Sequence, residues 1–436
     1  MLKSFRRLTL THWIFIAMLI GITLGWLFPD SKRAVHGGWA ASDLKLLSDI
    51  FVRMIKMIIG PILFSTLVVG IAGHGDDLKK VGRLAFRSIL YFEIVTTIAL
   101  VIGLLAVNIV RPGDSPQLTR ALAAASETAG PQLAKAKTFA EHTREIVPTS
   151  FMDALATNNV LQIVFFSILF AVALTQVRGR PREAILGFAE GLAETMFKLV
   201  AIVMKFVPFG VGAALAVTVS HSGIAVLRPL LTLVLTLYGA LIVFVLVALV
   251  PAALIARVPI KRFIKAVREP AIIAFSTTSS DAALPLAMQR MEAFGVPRRI
   301  VAFVMPTGYS FNLDGSTLYL ALASVFVAQA AGVELTYGQQ GLMMLTLMLT
   351  SKGVAAVPRA SLVILSGTLA AFGLPVAGVT VILAVDELMD MARTTVNLVG
   401  NCLATCVMAR WEGEFYPDGL PPGLADGPIV TDPAPA

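Results

Sequence analysis

The sequence predicts an all-α polytopic membrane protein with eight transmembrane helices and two re-entrant helical hairpins of opposite orientation. Three observations carry that prediction. The 436 residues are 57% hydrophobic and only 14% charged, with a mean hydropathy of +0.82, whereas a water-soluble domain carries about 25% charged residues. Apolar runs long enough to cross a bilayer recur from end to end. Two of them are interrupted by small and hydroxyl residues and each is followed by a helix, a pattern of inverted repeats that brackets a site near the bilayer midplane. A soluble domain is excluded. The excess of 35 Lys plus Arg over 27 acidic residues fits inner-face loops rather than nucleic-acid binding.

Taken in order, the run 11–28 follows a basic start (Lys3, Arg6, Arg7) without a small-residue cleavage motif, so it reads as a retained first helix. Runs 48–72 and 86–110 come next. The stretch 111–157, rich in Ala, Ser, Pro and Lys, reads as a polar outer-face loop. Runs 158–177, 186–218 and 225–256 precede the first interrupted segment, 270–290, which is followed by 300–331, the second interrupted segment 340–373, and 376–409. With the N-terminus inside, the basic clusters Lys79/Lys80/Arg83, Arg178/Arg180/Arg182, Arg257/Lys261/Arg262/Lys265/Arg268, Arg298/Arg299 and Arg410 share one face only if 270–290 enters and returns on that face. The same counting lets 340–373, interrupted by Gly353 and Pro358, dip in from the opposite face. Residues 411–436, rich in Pro, Gly and Asp, read as a disordered inner tail. Cys402 and Cys406 sit four apart in an apolar run and read as packing residues, with no metal site or disulfide framework.

Polar groups inside a membrane are costly, which makes four clusters candidate functional residues. Ser276-Thr277-Thr278-Ser279-Ser280-Asp281 forms a hydroxyl-rich tip whose backbone N–H groups suit an anion. Asn312-Leu313-Asp314-Gly315-Ser316 joins oxygen ligands for a hard cation to a glycine that weakens the helix. Ser351 to Pro358 is a small-residue tip suited to a gate. Asp386, Asp390, Arg393, Thr394, Asn397 and Asn401 fall on one stripe of the last helix, about 100° wide at 100° per residue. Arg393 offers a planar fork to a carboxylate and Asp390 an acceptor to an ammonium, which together read an acidic amino acid. Each cluster has a plainer reading as turn, kink or internal ion pair, although an Asp–Arg pair leaves the asparagines unexplained. Glu93, in the third run, reads either as a proton carrier or as a hydrogen-bonded structural acid.

On these residues the chain resembles the dicarboxylate/amino acid:cation symporter family, the glutamate transporters, outside the 111–157 loop and the tail. The resemblance rests jointly on Met57-Ile58-Ile59-Gly60-Pro61, the serine-rich segment ending in Leu284-Pro285, Asn312-Leu313-Asp314-Gly315, the Gly353-to-Pro358 tip, and Asp390 with Arg393, Thr394 and Asn397. It implies a homotrimer in a bacterial cytoplasmic membrane, with both termini inside. A scaffold (about 11–72 and 158–218) would carry a transport part (about 86–110 and 225–409) that moves like an elevator. It also implies that Arg393 holds the substrate's side-chain carboxylate and Asp390 its amino group, with Thr394, Asn397, Ser316, Ser279, Ser280 and Ala356 completing the site. Gly353, Val357 and Pro358 would form the outer gate.

Asp390 favours an amino-acid substrate, because family members that carry C4-dicarboxylates tend to have a small hydroxyl residue there. For coupling, the resemblance points to protons. Asn401 stands where sodium-coupled members place an aspartate, and Val354 and Val95 replace their hydroxyl residues. The cation-site candidates Asn312, Asp314, Asn397 and Asn401 keep a sodium-coupled or C4-dicarboxylate carrier as the alternative. Leu320 stands where animal members place a proton-carrying glutamate, so the proton carrier is sought at Glu93, Asp281 or an aspartate of the last helix. An enzyme is disfavoured. HExxH and GxSxG are absent, none of His12, His36, His74, His142 and His221 lies in the polar clusters, and nothing implies a cofactor.

Overall fold

The protein is described from a computed structural model, whose described residues are 10–35, 37–72, 78–126, 147–157, 160–351 and 360–417. They are helical throughout, with no strand among them. In chain order the helices are α1 (Leu10–Leu27), α2 (Lys45–Ala72), α3 (Leu78–Val110), α4 (Pro116–Ser126), α5 (Phe151–Ala156), α6 (Val160–Gln176), α7 (Arg180–Met204), α8 (Val207–Ser222) and α9 (Leu227–Phe244). There follow α10 (Val250–Ile255), α11 (Ile260–Thr277), α12 (Ser280–Ala293), α13 (Arg298–Phe311), α14 (Asp314–Ala330), α15 (Tyr337–Thr350), α16 (Ala360–Ala371), α17 (Gly378–Leu383) and α18 (Asp386–Trp411). By length and composition, Phe86–Val110, Ile224–Ile255 and Arg298–Ala330 are each long and apolar enough to cross a membrane.

The helices gather into two groups by their mutual packing. In one, α1 lies along α8, and α2 packs against α6, α7 and α8. Small residues set that approach: a Cβ at Gly21 would collide with the Gly212 carbonyl of α8, and one at Gly25 with the Ala216 carbonyl. Such small-xxx-small contacts are how helices associate where lipid removes the hydrophobic drive. In the other group α18 is the centre, surrounded by α3, α9, α11, α12, α13 and α14. Helices α15 and α16 pack on each other and on α14.

Local sequence explains the interruptions. The expected single span 186–218 divides at Lys205–Phe206, where Pro208 begins α8. Pro251, which has no N–H to give, follows a π-turn over Val245–Leu249 that joins α9 to α10. The stretch expected as a polar loop contains α4, because Leu118, Ala121 and Leu122 repeat at helical spacing and are buried against the bundle. Helices α11 and α12 form a hairpin that starts at Ile260, ten residues before the expected segment. The tip between α15 and α16, with Gly353, Val354, Ala356, Val357 and Pro358, lies outside the described residues.

The expected disordered tail begins with an ordered strap, while 418–436 lie outside the described residues. Glu412 accepts from Arg83 at 2.7 Å and from Arg87 at 2.8 Å, both on α3. Glu414 pairs with Arg299 of α13, and the Tyr416 N–H donates to the Gly295 carbonyl at 3.0 Å. Phe415 is 6% exposed, packs on Phe294 with centroids 5.7 Å apart, and lies under the Arg410 guanidinium. Arg410 in turn donates to the Ala256 carbonyl. The residues that look solvating by composition thus tie the ends of α3, α10, α12, α13 and α18 together.

Phe415→Ala should therefore cost about 3 kcal/mol, read as a lowered unfolding midpoint in detergent. Burial pushes the Glu412 carboxyl up, but Arg83 and Arg87 outweigh it and hold the group below the usual carboxylate range. Its contribution is complete above the ordinary glutamate value of about 4.3 and is lost as pH falls through the lower folded value. Glu412→Gln should remove that part of the acid sensitivity in a pH series of unfolding midpoints.

Candidate functional site

Helix α18 begins at Asp386 after a break at Ala384–Val385. Its polar stripe points into the protein: Asp386, Asp390, Arg393, Thr394, Asn397 and Asn401 are all buried. Arg393 is the largest fully buried side chain and, among the described residues, the only buried cation. Its Nε donates to Asp390 Oδ1 at 2.8 Å and its Nη1 to Asp386 Oδ1 at 3.0 Å. Its Nη2 makes no hydrogen bond among the described residues. The ring of Tyr319, from α14, stacks on the guanidinium at 4.2 Å, which adds cation–π attraction. Thr394 donates its hydroxyl to the same Asp390 oxygen at 2.9 Å, so Asp390 is fixed from two sides.

The second half of the site is the interruption between α13 and α14. The chain leaves helical geometry at Asn312 and Leu313, and α14 restarts at Asp314. Asn397 spans the break: its carbonyl accepts from the N–H groups of Gly315 and Ser316 at 2.8 and 3.2 Å, and its amide donates to Ser316 Oγ at 2.9 Å. Two otherwise orphaned N–H groups at the start of α14 are satisfied this way. One turn on, Asn401 accepts from the Asn312 amide at 3.0 Å. Gly315, which the sequence reads as weakening the helix, lies not at the interruption but inside α14. A Cβ there would strike the Arg393 carbonyl, so glycine is what lets α14 touch α18 beside the ion pairs.

The remaining predicted residues are placed less centrally. Ser279 caps α12, accepting from the Ala282 N–H at 3.4 Å, after Thr278 turns the chain in the left-handed region (φ 51°). The Ser280 carbonyl accepts from Tyr309 of α13 at 3.0 Å. Neither serine hydrogen-bonds to Asp390, Arg393, Thr394 or Asn397 among the described residues. Glu93 is half-buried on α3 and is not among the hydrogen-bond partners of Arg393. The Asp281 side chain and Ala356 lie outside the described residues. Asp314 is wholly buried beside the break. No group of three His, Cys, Asp or Glu side chains placed to hold a metal occurs among the described residues.

Sequence reasoning places Asp386 on the stripe but misses its bond to Arg393, a pairing two turns away. It also misses Tyr319, whose sole signal is an aromatic with a polar end in a largely apolar helix, and the fully buried Glu387.

A buried arginine flanked by acids, with amides bridging a broken helix, makes a polar site for a charged solute inside an apolar helical protein. The profile of the Sodium:dicarboxylate symporter family matches residues 10–411, and the chain belongs to that family. It is thus a symporter and not an enzyme. It is 43% identical over 416 residues to the proton/sodium-glutamate symport protein of Bacillus caldotenax, covering 94% of this chain and 96% of the relative. It is 40% identical over 418 residues to the proton/glutamate-aspartate symporter of Escherichia coli, covering 94% of each. A C4-dicarboxylate transport protein of Solibacter usitatus is 40% identical over 432 residues, covering 99% of this chain and 98% of the relative.

Removing Arg393 strands two buried carboxylates. Arg393→Gln should lower stability by about 3–5 kcal/mol in the substrate-free protein, measured as a loss of the unfolding midpoint, and Asp386→Asn by less because Asp390 stays paired.

Proposed function

We propose that the protein takes up acidic amino acids, glutamate or aspartate, with protons, as a multi-pass carrier of a bacterial cytoplasmic membrane. The observation that carries this reading is Arg393 held between Asp390 and Asp386 on a buried polar stripe. A guanidinium fork suits the side-chain carboxylate and Asp390 the amino group. Thr394, Asn397 and Ser316 stand around them, and Ser279, Ser280 and Ala356 would close the site from the hairpin tips. Relatives named for glutamate and aspartate symport support the substrate class.

In this reading eight transmembrane helices and the re-entrant hairpins α11–α12 and α15–α16 form the membrane unit, with both termini cytoplasmic. The group around α18, with α3 and α9, is the moving transport part. The α1–α8 and α2–α6–α7 packing supplies the scaffold of a homotrimer, and Gly353, Val357 and Pro358 gate the outer side. The family resemblance supports the trimer and the elevator motion, and the two packing groups are compatible with them.

Proton coupling is supported by Asn401, a neutral amide where the resemblance places an aspartate in sodium-coupled members; it accepts from the Asn312 amide at 3.0 Å. Glu93 and Asp281 are the carriers that the sequence suggests. A sodium-coupled alternative has its own observation: Asp314 and Asn312 hold buried oxygens at the helix break, and three relatives are named for both cations.

Labelled glutamate uptake into liposomes, driven by a pH gradient and an inside-negative potential, tests the choice. Uptake should proceed without sodium and collapse with a protonophore, while strict dependence on sodium would favour the alternative. Asp390→Ser should weaken glutamate transport at least tenfold and raise competition by succinate, since it removes the acceptor for an ammonium that succinate does not have.

A further inference from the structure

We propose that Asp386 is the proton carrier, taking up a proton when the substrate's carboxylate displaces it from Arg393. The inference rests on the reading of the site as one for an acidic amino acid. Arg393 spends Nε on Asp390 and Nη1 on Asp386, and leaves Nη2 unbonded among the described residues. A carboxylate that binds a guanidinium bidentately needs Nη2 together with one of its neighbours. Asp390 is held by Thr394 as well as by Nε, and it is the acceptor for the amino group. Nη1, held among the described residues by Asp386 alone, is therefore the nitrogen that the substrate takes.

The displaced Asp386 is wholly buried. The charged and titratable groups facing it include Arg393 and Asp390 on its own helix, its neighbour Glu387, and Tyr319 from α14. From α9, Tyr238 donates to the Leu388 carbonyl nearby. None of these except Arg393 is a cation, and Arg393 is the only buried cation described. The guanidinium and its two aspartates already carry one excess negative charge, and an acidic amino acid adds another. Burying both without compensation is what a low-dielectric site resists. One proton from the outer solution on a carboxylate oxygen of Asp386 restores the balance. It leaves to the inner solution when the substrate departs and Nη1 returns. Glu93 is not among the hydrogen-bond partners described for Arg393.

The test is titration calorimetry of glutamate binding to the purified protein in two buffers of different ionisation enthalpy, repeated across pH. The wild type should take up a proton on binding and lose affinity as pH rises, up to tenfold per pH unit. Asp386→Asn should take up about one proton fewer and lose that slope. An unchanged proton count and slope in Asp386→Asn overturns the proposal. Infrared difference spectra keep it testable if that variant does not fold. Glutamate should raise a protonated-carboxyl band in the wild type whose frequency shifts in Asp386→Glu, and a missing or unshifted band overturns it. Failure of the wild type to bind glutamate or aspartate overturns the substrate reading itself, and this proposal with it.

Discussion

The architecture depends on keeping one guanidinium charged while it is wholly out of water. Arg393 is 1% exposed, and an unpaired cation at that depth is far too costly to persist. Two aspartates on its own helix meet that cost, and the face of Tyr319 adds to it. Everything nearby follows. Helix α18 starts at Asp386, two turns before Arg393, directly after the break at Ala384–Val385. Helix α14 must come close enough to stack Tyr319, and Gly315 is the residue that permits the approach. A buried ion cluster of this kind contributes little net stability compared with apolar packing, so its presence points to chemistry rather than to support.

The break between α13 and α14 answers a different constraint. Ending one helix and starting another inside a bundle exposes backbone groups that lipid cannot satisfy. Asn397 binds the N–H groups of Gly315 and Ser316 and, through its amide, the Ser316 hydroxyl. Asn401 meets Asn312 a turn away. The asparagines that an internal salt bridge left unexplained are the braces of the neighbouring interruption. Ion pairing and helix repair are thus done by adjacent turns of one face.

Much of this was legible from spacing alone. Six polar residues at helical period in an apolar run fix a face, and burial of all six follows from the cost of exposing them to lipid. What spacing does not contain is partnership. Whether Arg393 turns to Asp390, to Asp386 or to both is decided by side-chain reach and by Tyr319 from another helix. Gly315 reads from sequence as a weak point of the helix, whereas its use in close packing against Arg393 depends on the neighbour. Helix α4 and the strap at 412–417 were missed for one reason. Their composition is polar, and a few residues at the right positions, Leu118, Ala121 and Leu122 in one and Phe415 in the other, outweigh the average.

The strap also bears on the order in which the molecule can be built. A chain is made from its N-terminus and its elements associate as they emerge, yet Glu412, Glu414 and Phe415 come after every described helix. Until they are synthesised, Arg83, Arg87 and Arg299 lack the carboxylates that hold them. The body around α18 is accordingly fastened late in biogenesis, and a chain that ends just short of residue 412 keeps the sequence of every described helix without the clasp that joins their ends.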